Sequence, residues 1–157
     1  IEMEKTNAMR YLDTLGIHYD AHTYETKDGK IDGVSVANKV GINPEYVYKT
    51  LVLEGDEPFV AIVPVEHEIH LKKLARAINE KKITMLHQKD LRPLTGYVHG
   101  GCSPFAMKKE LPKYVQEDIA QIDEIYVSGG KVGVQISMKV EDFLRASHAV
   151  IVDMIEK

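Results

Sequence analysis

The residues able to do chemistry fall into a few short stretches. Gly96-Tyr97-Val98-His99-Gly100-Gly101-Cys102-Ser103-Pro104 is the most unusual run in the chain. Its adjacent glycines permit positive φ and close backbone approach to a ligand. Successive amides in such a loop can form a nest for an anion or a carbonyl oxygen, although the same residues also suit a plain tight turn. The run is not GxGxxG and no βαβ pattern surrounds it, which excludes a dinucleotide fingerprint. Cys102 and His99 are the types of a thiol–imidazole pair, but such partners meet through the fold and proximity in sequence does not establish one.

Lys49-Thr50 opens an apolar, β-branched run. A lysine there either stands in solvent or presents a cation at a sheet rim to phosphate, ribose or a carbonyl. The histidines are His18, His22, His67, His70, His87, His99 and His148. His67-Glu68-Ile69-His70 is one residue short of HExxH and lacks the i, i+4 spacing that places two imidazoles on one metal, so no metal site is expected. Lys72, Lys73, Arg76, Lys81 and Lys82 cluster around one segment, and Lys108-Lys109 form another pair. They read as a solvated face or as a local phosphate contact. Ser128-Gly129-Gly130-Lys131 reads as a hairpin turn.

These residues sit in a chain of 157 residues with 20 Lys+Arg, 24 Asp+Glu and a net charge of −4. The length suits one domain, able to bury a core without staples. The acidic balance argues against an autonomous duplex binder and leaves contact with a short nucleic-acid end open. One cysteine and no tryptophan are present. The lone Cys102 excludes an intramolecular disulfide framework and a CxxC zinc site, and fits a reducing cytoplasm. No apolar run approaches a membrane span, and the N-terminus lacks the pattern of a signal peptide. Met3 reads as a native start, with Ile1 and Glu2 preceding it.

The elements that must position the chemistry follow from periodicity. Met3 to Leu15 reads as an amphipathic helix stopped by Gly16. Ile17 to Tyr24 alternates as a strand on which His18 and His22 would share a face. Ser35 is placed as the N-cap of a short helix through Val40, ended by Gly41. Asn43-Pro44-Glu45 starts a further turn. Tyr48–Leu53 and Phe59–Val65 form a hairpin around Gly55-Asp56-Glu57-Pro58. A helix is expected over Ile69–Ile78, with Leu71, Leu74, Ala75 and Ile78 on one face, then a short strand Ile83–Leu86 and a helical turn Lys89–Leu94. Strands Glu124–Val127 and Val132–Met138, a helix Val140–Ala146 and an edge strand Ala149–Val152 complete the chain. Hairpins outnumber βαβ units, which favours an α+β domain with a curved, mainly antiparallel sheet.

Four of these stretches occur in an order and at intervals that carry a resemblance: His22-Thr23-Tyr24, Val47 to Val52, Thr95 to Pro104, and Ile125 to Lys131. The chain resembles the YbaK/EbsC family of aminoacyl-tRNA deacylases, related to the editing domain inserted in bacterial-type prolyl-tRNA synthetases. The likeness runs from about Thr6 to Val152. It implies a mixed, mostly antiparallel barrel-like sheet with surrounding helices, as a single domain over residues 1–157. It also implies a cytoplasmic hydrolase that removes a wrongly attached amino acid from tRNA, most simply cysteine from tRNA for proline. Relatives clear alanine or other small residues, and a non-catalytic module binding tRNA or a synthetase could keep the same fold.

In site terms the resemblance implies catalytic roles for Lys49, Gly100 and Gly101. It implies substrate contacts from Tyr24 at the pocket entrance, Thr50, Ser103, Pro104, Ser128 and Gly129. The implied partners are the aminoacyl-tRNA 3′ end and prolyl-tRNA synthetase, with no DNA, membrane, cofactor or metal. The polar loop Lys27–Gly33 carries no phenylalanine where some cysteine-specific members place one. His99 and Cys102 fall at positions that vary among relatives, so neither is expected to be catalytic. An aminoacyl ester is already activated, so amides around Gly100 and Gly101 could stabilise the oxyanion while Lys49 orients the ester. Attack by the substrate's own thiol or by water then needs no protein nucleophile.

Overall fold

A computed structural model describes residues 4–156. The first helix, α1 (Asn7–Thr14), begins later than periodicity suggests because the Thr6 side chain accepts the Met9 N–H and caps it. The expected start at Met3 lies outside the described residues. The Thr6 hydroxyl also donates to the Gly129 carbonyl at 2.5 Å, tying α1 to a distant strand. Gly16, at φ +67°, turns the chain so that the Ile17 N–H returns to the Leu12 carbonyl. Ile17 is therefore core rather than strand, and β1 shortens to Asp20–Thr23. His18 falls outside it and shares no strand face with His22.

Helix α2 (Gly33–Val40) ends at Gly41 in the left-handed conformation, as expected. Its cap is Asp32, not Ser35. The Asp32 carboxylate accepts both the Ser35 N–H and the Ser35 hydroxyl, and these bonds hold its pKa below the usual carboxylate range. A short 3-10 turn, Pro44–Tyr46, follows. The hairpin is present as β2 (Tyr48–Glu54) and β3 (Pro58–Pro64), paired along their whole length. Helix α3 (Leu71–Ala77) is capped by the His70 ring, which accepts the Lys73 N–H. Leu74 and Ala75 are buried but Leu71 faces solvent.

β4 (Thr84–Met85) and α4 (Gln88–Thr95) follow. β5 (Lys113–Gln116) has no counterpart among the expected elements. β6 (Glu124–Lys131) runs through Ser128-Gly129-Gly130-Lys131, correcting the expected turn there. A bulge between Ser128 and Lys131 absorbs the glycines, and Val132-Gly133 makes the turn. β7 (Val134–Lys139), α5 (Val140–Ser147) and β8 (Val150–Val152) close the chain.

The strands form two sheets, ordered β1-β7-β6 and β4-β2-β3-β5-β8. The first is antiparallel throughout, while β3-β5-β8 in the second is parallel. A parallel bridge between Val47 and Tyr126 joins the sheets at one corner. The assembly is mixed, mostly antiparallel and barrel-like in its curvature, but not closed. The larger core lies between the sheets, where Tyr48, Val52, Val60 and Ile62 meet Val127, Ile136, Phe105 and Phe143. A second cluster packs α3 and Met154-Ile155 against the other face of the β2–β3 hairpin. No helix among the described residues is long and apolar enough to cross a membrane.

Candidate active site

The gap between the sheets widens into a cavity of about 620 Å³ at the open edge of β2. This falls within the range of roughly 300–1,000 Å³ typical of small-ligand sites. β4 reaches β2 only at Leu53 and Glu54, and the bridge to β6 touches only Val47. The strand between them, Tyr48 to Val52, is left to line the cavity. Lys49 and Thr50 point to opposite faces of β2, as successive strand residues must, so the cavity wraps the strand edge.

Of the residues implicated by sequence, Tyr24, Lys49, Thr50, Gly100 and Ser128 line this cavity together. Gly101, Ser103, Pro104 and Gly129 do not form its wall. The Gly101 N–H is occupied by the Val98 carbonyl at 2.9 Å. Ser103 is fully buried, and its hydroxyl accepts the Phe105 N–H. These residues shape the loop from behind. Gly100 takes φ +85°, and a side chain there would meet Ile31 Cδ1 at 2.8 Å. Ile31, from the polar loop Lys27–Gly33, thus packs over Gly100 and lines the cavity.

Four polar groups of the wall are unsatisfied by the protein itself. Tyr24 OH, Tyr48 OH, Thr50 Oγ1 and Gln135 Oε1 are buried without a hydrogen-bond partner, and all four residues line the cavity. A buried polar atom left without a partner costs about 1–3 kcal/mol, so four around one cavity mark it as a ligand site. Tyr48 and Gln135 were not singled out by sequence. Gln135 could have been: it is a polar residue in an apolar strand, and the β6–β7 register sets it opposite Ser128. Burial, together with the Asp118 and Glu45 carboxylates, keeps the Tyr48 phenol protonated well above its ordinary value.

Lys49 and Glu68 form an ion pair at the mouth, with Nζ and Oε1 3.6 Å apart, and the exposed Asp32 carboxylate also lines the cavity. The Glu68 side chain is 82% exposed and that of Lys49 is 24% exposed, so the cation faces the cavity from a sheltered position and its partner is easily displaced. The basic cluster on α3 lies away from this wall, with Lys73 paired to Asp153 at 2.5 Å. No group of three or more His, Cys, Asp or Glu arranged to hold a metal occurs among the described residues.

Cys102 also reaches the cavity, but as a poor nucleophile. Burial pushes its thiol up to about 12, only partly offset by the Thr95 hydroxyl. A thiol attacks as thiolate, and no imidazole bonds this one. His99 stands exposed on the loop. Cys102→Ser is therefore expected to keep the parent's activity within about threefold, because the buried thiol is not ionised to attack. A kinetic time course checks this, and loss of turnover in a folded variant would make Cys102 part of the chemistry.

Comparison with known proteins places this geometry. Residues 32–146 match the model of the aminoacyl-tRNA editing domain. A protein of Enterococcus faecalis named "Putative Cys-tRNA(Pro)/Cys-tRNA(Cys) deacylase EbsC" is 40% identical over 98% of this chain and 95% of its own. Two solved structures share the fold. One, described as "a putative trans-editing enzyme for prolyl tRNA synthetase", has a TM-score of 0.87 at 22% identity, over 99% of this chain and 100% of that one. The other, hypothetical protein APE2540, has a TM-score of 0.84 at 17% identity, over 96% and 100%. Lys49 and the glycine loop of the strand-edge cavity lie within the matched span, and the chain belongs to the aminoacyl-tRNA editing domain family.

Proposed function

We propose that this protein is a deacylase that frees tRNA of a wrongly attached small amino acid, with cysteine on tRNA for proline as its substrate, working in the cytoplasm alongside prolyl-tRNA synthetase. The carrying observation is the cavity in which Tyr24, Tyr48, Thr50 and Gln135 present four unsatisfied polar atoms beside Lys49 and Gly100. An aminoacyl ester with its ribose offers the donors and acceptors such a wall lacks.

The chemistry asks little of the protein. A nucleophile external to the chain, the cysteine thiol or a water, attacks the ester carbonyl. A bond to carbon forms, the carbonyl oxygen becomes an oxyanion, and its collapse breaks the bond to the ribose oxygen. That oxygen leaves as a hydroxyl after taking the nucleophile's proton. The site orients the ester through Lys49 and stabilises the oxyanion through hydrogen-bond donors. The Gly101 amide is spent within the loop, so the donors for the oxyanion are the Gly100 amide and the Thr50 and Tyr24 hydroxyls. The orphaned hydroxyls stand ready without reorganisation, which is where such stabilisation gains its strength.

The reading is tested by a deacylation panel of cysteinyl-, alanyl- and seryl-tRNA for proline, with and without the synthetase. Cysteinyl-tRNA is expected to turn over fastest. Binding to the synthetase with no turnover of any substrate would replace the reading with a non-catalytic module on the same fold.

A further inference from the structure

A lysine near the C-terminal end of a helix commonly serves that helix's own last carbonyls. Lys39, in the last turn of α2, reaches elsewhere. An ammonium carries three donors, and here all of them point to the loop that precedes the helix. Nζ donates to the Glu25 carbonyl at 2.7 Å, to Asp28 Oδ1 at 2.8 Å and to the Lys30 carbonyl at 2.9 Å. The Lys39 side chain is only 19% exposed, and its hydrogen bond holds the Asp28 carboxyl below the usual carboxylate range.

These ties fall at the two feet and the tip of the loop. Glu25 directly follows Tyr24, and Lys30 directly precedes Ile31. Tyr24 and Ile31 both line the cavity, whereas Lys39 stands behind its wall. Ile31 is the residue packed over Gly100. Residues 25–30 are all exposed. Among the described residues, their other hydrogen bonds stay local, joining Gly29 to Thr26, Ile31 to Gly29 and Lys30 to Asp28. Apolar burial therefore does not hold this segment down. The Lys39 ammonium joins it to α2, which is itself anchored through Ala37 and Val40 in the cluster with Val47, Val65 and Tyr126.

We propose that Lys39 is a positioning residue of the deacylation site, fixing the loop between Tyr24 and Ile31 so that Ile31 stands over Gly100 before substrate arrives. It touches neither the ester nor the reacting carbonyl. Its effect is preorganisation. A loop free to leave would complete the wall only part of the time, and apparent affinity falls by that fraction. Chemistry in the bound complex is unaltered, so the loss belongs in KM rather than kcat.

This inference rests on the proposed deacylase reading and gives that site a residue outside its wall. Lys39→Met keeps the stem and removes the donors. One readout is independent of turnover. Lys27 and Lys30 lie exposed in the loop, so trypsin nicking of the native protein after either, followed by mass spectrometry, reports release of the loop. Nicking is expected to be roughly tenfold faster in Lys39→Met than in the parent. With cysteinyl-tRNA, KM should rise roughly tenfold with kcat within about twofold. In an Ile31→Ala background the same substitution should change KM less than about twofold, because the contact it protects is already gone. Asp28→Ala, at the exposed tip, removes one tie and should raise KM about threefold. That variant carries the test should Lys39→Met not fold. Unchanged nicking, unchanged KM, or a KM effect that survives in full beside Ile31→Ala would overturn the proposal. Absence of turnover in the parent would instead count against the deacylase reading, and nicking would still decide whether Lys39 holds the loop.

Discussion

Replacing Lys49 by alanine is expected to lower kcat/KM for cysteinyl-tRNA by roughly 10²-fold or more, the scale of losing a group that orients the ester and holds charge near the reacting carbonyl. Stability should scarcely change. The contact given up is the ion pair with Glu68 at 3.6 Å, and that carboxylate is largely solvated. Exposed pairs of this kind contribute about 0.2–1 kcal/mol. Lys49→Arg should restore little, because a planar guanidinium cannot replace a compact ammonium at the wall of a shaped cavity. Deacylation kinetics and thermal melts of the same preparations separate the two effects. Full activity in Lys49→Ala would remove the lysine from the mechanism.

The second large effect is structural at its origin. In Gly101→Ala the new Cβ would lie 2.8 Å from the Val132 nitrogen and 3.1 Å from the Lys131 carbonyl carbon. Both are backbone atoms of the β6–β7 turn and cannot swing aside as a side-chain tip could. Relief requires the loop or the turn to shift, and the turn carries Ser128 and Gln135 toward the cavity. Forcing atoms into a packed site costs about 1–3 kcal/mol. At roughly 2–4 °C of melting temperature per kcal/mol for a domain of this size, the midpoint should fall by several degrees. Activity should fall further than stability, since Gly100 moves with its neighbour. Gly16→Ala is the control. Gly16, unlike Gly101, has positive φ, but a Cβ there meets nothing within 4 Å. That variant should lose some stability from backbone strain while kcat is unchanged. Equal activity losses in the two variants would refute the role given to the Gly101 contact.

Local signals in the sequence carried much of the fold. Gly41 stops α2, Asn43-Pro44 opens a 3-10 turn, and β2 and β3 pair around the expected hairpin turn. The errors came where a distant contact decides. Thr6 caps α1 and reaches to Gly129, a link across the chain that helical periodicity cannot contain. Ser128 to Lys131 has turn composition, yet β7 pairs with it and a bulge takes up the strain. β5 is short and is held between two parallel neighbours, so its existence depends on β3 and β8 rather than on its own residues.

The site was legible in a similar measure. Lys49, Thr50, Tyr24, Gly100 and Ser128 could be named because glycine pairs, a strand-start lysine and the family likeness mark them. Gly101, Ser103, Pro104 and Gly129 belong to the same motifs, but they support the wall from behind. Tyr48, Ile31 and Gln135 escaped because their importance lies in which face of a strand or loop meets the cavity.

The cavity is assigned the hydrolysis of a misattached amino acid without any protein nucleophile. The most direct measurement is a single-turnover time course of cysteinyl-tRNA and prolyl-tRNA for proline, mixed with excess protein and compared with spontaneous decay. The predicted result is rapid release of cysteine, unchanged in Cys102→Ser, with prolyl-tRNA left intact. Decay of cysteinyl-tRNA no faster than in buffer, or release that is lost in folded Cys102→Ser, would contradict it.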